Sequence, residues 1–327
     1  MAVKHFHHAT LQVPDVAAQF QFYKDFGLTG RARGNNAVMR CKDRKQDQVI
    51  ITEGSTMGLH DLSFGATKAA IKKIQKRAEE RDDVSVIDPP KNAPYKGLWL
   101  RHEFDGMIYN VNDDPAARSL GGVKPARKQP EYKVNTPGHF YRVNEKLDLP
   151  IDTRPMPRRL GHMVHFTPDV DRKVDFYSDV LGLQLTDRSG DLIAFMRPAG
   201  GSDHHVVGFV KDRKPGFHHI SFEVGNPDEV GMGGQRLLNR GYRNGWGFGR
   251  HALGSNFFWY VRDPHMGLCE YFSDIDYIAD DDQWKPRDWP IEVAFYLWGP
   301  PPPKAFGTNY TGNKKVVKPE SISYSRV

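Results

Sequence analysis

Hydrophobic and polar residues alternate over residues 162–166, and apolar residues then recur at helical spacing over residues 170–181. The alternation predicts a strand, and the helical spacing predicts an amphipathic helix with Asp169 as its N-terminal cap. Short apolar runs follow at residues 191–196 and 205–210. This part of the chain is therefore predicted to run strand, helix, strands.

The next stretch of the chain repeats that order. It predicts a strand over residues 218–224, a helix over residues 229–240, and two closing strands over residues 257–261 and 268–272. Each of the two stretches is therefore predicted to form one βαβββ module.

The first half of the chain resembles the second. Residues 8–16, HATLQVPDV, match residues 162–170, HMVHFTPDV. Residues 58–64, GLHDLSF, match residues 216–222, GFHHISF. Such self-similarity is the signature of a repeated structural unit. Four βαβββ modules are therefore predicted.

The four modules predict a fold of class α+β with two domains, each a pair of modules, at residues 1–150 and 158–285. Residues 115–157 are rich in Pro, Arg and Lys and are predicted to form a linker with loops. Residues 286–327 are predicted to form a C-terminal arm and tail. The arm could either mediate assembly or cover a pocket.

Three candidate metal ligands stand on comparable strands of successive modules. His162 opens the third module, His219 opens the fourth, and Glu270 lies in the last strand of the fourth. Two imidazoles and one carboxylate suit Fe(II) and leave coordination positions open for other molecules. Each histidine alone is more often a hydrogen-bonded strand residue, so the hypothesis depends on the three together.

Strand periodicity selects His219 over its neighbour His218. Residues two apart on a strand share a face. His218 falls in an apolar row, which is expected to face the helix-packed core, whereas His219 falls in a polar row, which is expected to face a metal site. The same test does not separate His162 from His165.

Two further segments carry candidate chemistry. The sequence SDHHVVGF places His204 and His205 just before an apolar strand. The sequence GRHALGSNFFWY contains His251 and, nearer its end, Tyr260. Histidine titrates near neutral pH and can both accept and return a proton, which makes the first segment a candidate for acid/base chemistry.

With these segments, the second half of the chain resembles the type I extradiol ring-cleaving dioxygenases of the vicinal oxygen chelate (glyoxalase-like) superfamily, most clearly over residues 160–275. The resemblance implies one Fe(II), or less often Mn(II), held by His162, His219 and Glu270. It implies a catecholic substrate and O₂, whose two atoms both enter a ring-opened product in aromatic compound degradation. It also implies a homo-oligomer.

The resemblance assigns roles to side chains around the metal. His205 is implied to be the catalytic acid/base residue, with His204 as a neighbour that could exchange roles with it. His251 and Tyr260 are implied to be catalytic residues that also hydrogen-bond the substrate.

Four other residues have expected positions from the sequence. Phe195 and Trp246 are candidates to line an aromatic substrate slot, although packing alone explains them equally well. Cys269 is predicted to pack in the core. His265 lies in a predicted turn and is expected to be a solvated loop residue.

The duplication provides an internal comparison. Aligning residues 105–110 with residues 266–271 makes His8, Asp61 and Tyr109 the first-half counterparts of the three candidate ligands. A tyrosine in place of the closing carboxylate predicts that the first domain holds no catalytic metal.

Two other classes of function stay open. One is another vicinal oxygen chelate metalloenzyme, such as a glyoxalase-like isomerase, which usually takes ligands from both halves; Tyr109 argues against it. The other is a catalytically silent binding protein on the same fold, which would have lost His205, His251 or Tyr260. The sequence leaves open whether the catechol is carboxylated and whether it has one ring or several.

The composition of the chain excludes or disfavours several other classes of protein. The 327 residues include only two cysteines, which excludes a disulfide-based scaffold. The net charge is +6, but the basic residues are spread along the chain, so nucleic-acid binding is not predicted. No apolar run reaches the roughly 20 residues that a membrane span needs. With no export segment at the start of the sequence, we expect a cytoplasmic protein.

Overall fold

The computed structural model describes residues 2–91, 93–115, 135–146 and 154–319. Most of the predicted linker and the last residues of the tail lie outside these ranges, so the domain boundary at residue 150 and the end of the arm stay predictions. Among the described residues, no helix is both long and apolar enough to cross a membrane.

The first half forms two successive βαβββ modules around one sheet. Its elements are β1 (His5–Val13), α1 (Val16–Phe26), β2 (Thr29–Arg33), β3 (Asn36–Arg40), β4 (Val49–Glu53), β5 (Gly58–Gly65), α2 (Lys68–Glu79), β6 (Val84–Val86), β7 (Leu98–His102) and β8 (Met107–Asn112). The sheet has the order β2-β3-β4-β1-β5-β8-β7-β6, with the opening strands β1 and β5 antiparallel at its centre.

The second half repeats this plan and adds an arm. Its elements are β9 (Arg159–Thr167), α3 (Val170–Asp179), β10 (Gln184–Ser189), β11 (Ile193–Arg197), β12 (Ser202–Asp203), β13 (Val207–Lys211), β14 (Gly216–Glu223), α4 (Pro227–Asn239), β15 (Arg243–Arg250), β16 (Phe257–Arg262), β17 (Leu268–Ser273), β18 (Tyr277–Ile278), a 3₁₀ turn (Asp281–Gln283), β19 (Arg287–Asp288) and the short helix α5 (Ile291–Ala294). The main sheet has the order β15-β16-β17-β14-β9-β13-β11-β10-β19, and β12 pairs separately with β18.

The predicted fold class, two α+β domains of paired βαβββ modules, is confirmed. The predicted cap also forms, since the Asp169 carboxylate accepts a hydrogen bond of 3.0 Å from the backbone N–H of Arg172 at the start of α3. Asp15 does the same for α1, where it accepts from the N–H of Ala18. The repeated Pro-Asp pair thus starts the first helix of each half.

The helices α1 and α3 each pack on strands of their own half and also contact the opposite half. The ring of Phe26 on α1 stacks on Tyr271 of β17, with centroids 3.8 Å apart and an interplanar angle of 4°. The ring of Phe176 on α3 stacks on His102 of β7 at 4.6 Å. The two halves therefore share one continuous hydrophobic core.

A buried lysine joins the halves inside this core. Lys173 on α3 is fully buried, and its ammonium lies 2.6 Å from a carboxylate oxygen of the equally buried Asp105. It also donates hydrogen bonds to the phenol oxygen of Tyr109 at 2.9 Å and to Nδ1 of His102 at 3.1 Å. Burial lowers the pKa of Lys173 to about 8, although Asp105 opposes that shift. Two hydrogen bonds and one buried ion pair therefore connect Lys173 to the first half.

We expect Lys173→Met to destabilise the fold by about 3–5 kcal/mol, because it leaves the Asp105 carboxylate buried without its cation. The exposed pair Lys76–Glu80, 3.7 Å apart, provides the control: Lys76→Met is expected to change stability by less than about 1 kcal/mol. Denaturant unfolding measures both variants. Adding Asp105→Asn to Lys173→Met should recover much of the loss, and equal stability of the two single variants would contradict the argument.

Candidate active site

The three candidate metal ligands come together on adjacent central strands of the second half. His162 is on β9, His219 on β14 and Glu270 on β17, and all three are buried. Nε2 of His162 lies 3.0 Å from Oε2 of Glu270, and Nε2 of His219 lies 3.6 Å from the same oxygen. Two imidazole nitrogens therefore point at one carboxylate oxygen.

Two side chains that the sequence did not single out as functional hold the Glu270 carboxylate. The Ser221 hydroxyl donates to Oε2 of Glu270, and the Asn256 amide donates to Oε1 at 3.2 Å. Ser221 shares the strand β14 with His219, whereas Asn256 lies in the loop before β16. These hydrogen bonds orient the carboxylate toward the histidines.

The structure separates His162 from His165, which the strand pattern could not do. His165 faces the helix-packed core: its Nε2 lies 3.3 Å from the phenol oxygen of Tyr177, and its ring contacts Phe209 edge-on at 5.0 Å. His162 faces the opposite side of β9, beside Glu270.

The expected position of His218 in the helix-packed core is wrong. The register between β14 and β9 shifts between Phe217 and His219, so His218 has no partner residue in β9. At such a bulge two successive side chains turn to the same side. His218 and His219 consequently both line the cavity described below, and their Nδ1 atoms lie 2.7 Å apart.

The donors at this site fit a divalent cation. Nε2 of His219 is buried and has no hydrogen-bond partner among the described residues. Of the described His, Cys, Asp and Glu residues, His162, His219 and Glu270 are the one group of three or more whose ligand atoms all lie within 4.8 Å of one another. Two imidazoles and a carboxylate on one side of an ion leave its other side open.

The first-half counterpart of Glu270 is Asn110, and the assignment of Tyr109 is wrong by one residue. Ser63 pairs with Asn110 in the sheet as Ser221 pairs with Glu270. The Ser63 hydroxyl donates to the Asn110 side-chain oxygen at 2.8 Å, as Ser221 does to Glu270. A slip of one residue along a strand reverses the face, so Tyr109 points into the core.

The other two first-half counterparts, His8 and Asp61, lie close to each other. Nε2 of His8 is 3.6 Å from Oδ2 of Asp61, and the Asp61 carboxylate also accepts from Thr10 at 3.0 Å. Nδ1 of His60 lies 2.7 Å from Oδ1 of Asp61. Among the described residues this cluster does not bring three ligand atoms together as the second half does. A first half without metal stays a prediction.

A chain of three side chains fixes the tautomer of His205. Nε2–H of His204 donates to the Asp187 carboxylate at 2.9 Å, so Nδ1 of a neutral His204 ring accepts. Nδ1–H of His205, 3.0 Å away, is its donor. Nε2 of His205 is then the unprotonated nitrogen of a ring that lines the cavity, 4.2 Å from the His162 ring. Burial lowers the pKa of His205 well below its usual value and keeps the ring neutral.

The arm fixes the tautomer of His251 in the same way. Nδ1–H of His251 donates to the backbone carbonyl of Phe295 at 2.7 Å, which leaves Nε2 to accept the phenol proton of Tyr260 at 2.8 Å. Nε2 also lies 3.8 Å from Oε1 of Glu270. His251 and Tyr260 therefore form a linked pair beside the three candidate ligands.

A cavity of about 260 Å³ opens beside these residues. His162, His219, His205, His251 and Tyr260 form its polar part. Phe195 and Trp246 also line it, so both candidates for the aromatic slot lie at the cavity wall. The arm supplies part of the wall, through Ala294, Phe295, Pro302, Pro303 and Phe306.

The sequence also predicted the positions of Cys269 and His265. Cys269 packs in the core as predicted. His265 is fully buried, so its prediction as a solvated loop residue is wrong. Its Nδ1 lies 2.7 Å from the side-chain oxygen of Gln19 on α1. The turn that carries His265 is covered by the first half of the chain, a contact that local sequence does not reveal.

Comparisons with known proteins agree with this arrangement. Residues 159–271 match the model of the Glyoxalase/Bleomycin resistance protein/Dioxygenase superfamily. The chain is 35% identical to Metapyrocatechase 2 of Cupriavidus necator, over 94% of this chain and 92% of that protein. It is 27% identical to an iron-dependent extradiol dioxygenase of Rhodococcus jostii, over 91% of this chain and 97% of that protein.

Solved structures with lower identity share the fold. The Mn(II)-bound glyoxalase from Novosphingobium aromaticivorans superposes with a TM-score of 0.71, with 21% identity and 93% of each chain covered. A halotolerant catechol dioxygenase superposes with a TM-score of 0.70, with 18% identity, 92% of this chain and 95% of that chain covered.

We expect Glu270→Gln to weaken metal binding by on the order of a hundredfold, because a neutral amide replaces the only anionic member of the ligand set. Asp61→Asn is the matched control in the first half and should leave metal content unchanged. Elemental analysis after anaerobic loading with Fe(II) and desalting measures both. Equal loss of metal from the two variants would refute a single site in the second half.

Proposed function

Because the chain belongs to the family of extradiol ring-cleaving catechol dioxygenases, we propose that it opens the aromatic ring of a catechol with O₂ at one divalent metal ion in its second half. The observation that carries this proposal is the convergence of His162, His219 and Glu270 beside an apolar cavity. The proposed role is in the degradation of aromatic compounds.

We propose Fe(II) as the metal, with Mn(II) as the less favoured alternative. The ligand set accepts either ion. The iron-dependent relative supports the first choice, and the Mn(II)-bound neighbour keeps the second open. When bound, the ion supplies a positive anchor for the two substrate oxygens, a neighbouring position for O₂ and the capacity to pass electrons between them.

His251 and Tyr260 are proposed to position the substrate. With Nδ1–H of His251 held by the Phe295 carbonyl, Nε2 can accept a hydrogen bond from a substrate hydroxyl. The Tyr260 phenol can donate to a substrate oxygen when it leaves Nε2 of His251. Tyr260 is buried and His251 is mostly buried, so these hydrogen bonds are stronger than they would be in water.

His205 is proposed to move the proton. Its Nε2 carries no proton in the tautomer fixed by His204 and Asp187, so it can take one from a substrate hydroxyl. The same nitrogen can return that proton to an oxygen that becomes negatively charged during ring opening. The assignment of His205 rather than His204 rests on their positions, because His205 contacts His162 whereas Nε2 of His204 is engaged by Asp187.

The two other classes of function, a glyoxalase-like isomerase and a catalytically silent binding protein, receive less support. A glyoxalase-like isomerase with ligands from both halves would need a carboxylate where Asn110 stands. A silent binding protein would have no need of the hydrogen-bonded histidines His205 and His251 next to the ligand set. The homo-oligomeric state and the cytoplasmic location stay predictions.

The direct test of the proposal is turnover of catechol by the Fe(II)-loaded protein in air. We expect a yellow ring-opened product that carries two ¹⁸O atoms when ¹⁸O₂ is supplied. His205→Gln should lower kcat on the order of 10²–10⁴-fold, which is the usual contribution of a general acid/base. Product without label in its carboxylate, which unlike a carbonyl oxygen does not exchange with water, or unchanged turnover in this variant, would contradict the mechanism.

Asp187→Asn tests the chain of hydrogen bonds behind His205. An amide at this position can donate to His204 instead of accepting, which removes the fixed tautomer. We expect kcat to fall by on the order of 10–100-fold with little change in KM. Nitrogen NMR of the histidine rings should show a mixture of tautomers. Asp187→Glu keeps the acceptor and should retain more activity; identical kinetics for both variants would refute the positioning role.

A further inference from the structure

The apolar part of the cavity carries information about the substrate. We infer that the catechol accepted here bears an uncharged, apolar ring substituent and that the C-terminal arm forms the wall that selects it. This inference rests on the proposed ring-cleaving function and names the substrate class of that same site.

The walls offer no partner for a carboxylate substituent. Among the described residues that line the cavity there is no Lys, Arg, Asp or Glu. Away from the candidate ligands, the lining is formed by side chains such as Val164, Ile193, Val210, Leu253 and Phe306. A carboxylate placed against these groups would lose its hydration and gain no cation in return.

The nearby basic side chains are engaged elsewhere. The Arg262 guanidinium donates to the backbone carbonyls of Met266 at 2.8 Å and Ala305 at 2.6 Å. The Arg250 guanidinium donates to Asp274 at 2.8 Å and lies over the Phe257 ring. Neither arginine lines the cavity.

The histidines of the cavity are engaged with other groups of the site. Nδ1–H of His251 donates to the Phe295 carbonyl, and Nδ1 of His205 lies 3.0 Å from Nδ1 of His204. Nδ1 of His218 lies 2.7 Å from Nδ1 of His219. The described cavity wall therefore carries no side chain with a permanent positive charge.

The cavity is larger than a single ring needs. A benzene molecule fits a cavity of roughly 150 Å³ in other proteins, whereas this cavity measures about 260 Å³. The difference is shared by the metal ion, O₂ and a short apolar substituent on the catechol ring.

Phe306 gives the arm a fixed wall. Its ring contacts Trp246 at 4.8 Å, His218 at 4.9 Å and Tyr260 at 5.0 Å. The arm is held at two points before Phe306, since Trp246 donates to the Pro300 carbonyl at 2.8 Å and Arg262 donates to the Ala305 carbonyl at 2.6 Å.

Two ligands of matched size and shape test the inference. They are 4-isobutylcatechol and 3,4-dihydroxyphenylacetate. The side chain of the first ends in a neutral isopropyl group, and the side chain of the second ends in a carboxylate at the same position. Calorimetry on the Fe(II)-loaded wild-type protein under argon measures their affinities, and oxygen uptake measures kcat/KM. We expect 4-isobutylcatechol to be favoured at least about a hundredfold in both. Equal or tighter binding of the carboxylate would overturn the inference.

The anaerobic measurement separates this inference from the proposed function. If the apolar ligand binds more tightly but no ring opening follows in air, the ring-cleaving function is refuted and the character of the cavity is upheld.

Phe306→Ala tests the role of the arm. We expect about a tenfold loss of affinity for 4-isobutylcatechol, because apolar contact area is lost, and a smaller loss for unsubstituted catechol. Leu297→Ala is the matched control, since Leu297 lies on the same arm but is 69% exposed and outside the cavity. Equal effects of Phe306→Ala on both ligands, or equal effects of the two variants, would refute selection by the arm.

Discussion

The site depends on a buried carboxylate without a lysine or arginine. Glu270 is fully buried, and its described partners are three histidines, a hydroxyl and an amide. Removing an ionised carboxylate from water costs several kcal/mol unless a positive charge compensates it. The proposed divalent cation between Glu270 and the two imidazoles would provide that charge, so it would complete the fold at this point as well as the chemistry. The central strands β9, β14 and β17 hold the three groups in register for it.

The repeat in the sequence was enough to predict the modules, the fold class and the strands that carry His162, His219 and Glu270. The pattern failed where the backbone departs from regular strand geometry. The bulge at His218 turned a residue assigned to the core toward the cavity. Similarly, the alignment of the two halves matched Gly106 with Gly267 and so made Tyr109 the counterpart of Glu270. The strand pairing in the structure makes Asn110 that counterpart. Strand periodicity assumes that every second side chain faces the same side of the sheet. A bulge or a turn of altered length breaks this rule without changing the pattern of residues in the sequence.

Contacts made through the backbone of the arm were equally hidden from the sequence. The N–H of Arg287 donates to Asp187 at 2.7 Å, and the carbonyl of Phe295 accepts from His251. Any residue except proline has the backbone N–H that the first contact uses, and every residue has the backbone carbonyl that the second contact uses. No pattern of side chains in the sequence therefore reveals these two contacts. The second contact sets which ring nitrogen of His251 carries a proton, and the first holds the Asp187 carboxylate that accepts from His204. The arm therefore orients two histidines of the site in addition to closing the cavity.

The aromatic contacts between the halves have a consequence for the independence of each half. The ring of Phe26 on α1 rests on the second sheet, and the ring of Phe176 on α3 rests on the first. A single half made alone would expose these rings to water, although each helix would keep the contacts with its own sheet. Such a half is therefore expected to need a second copy of itself as cover, and the covalent duplication supplies that cover within one polypeptide.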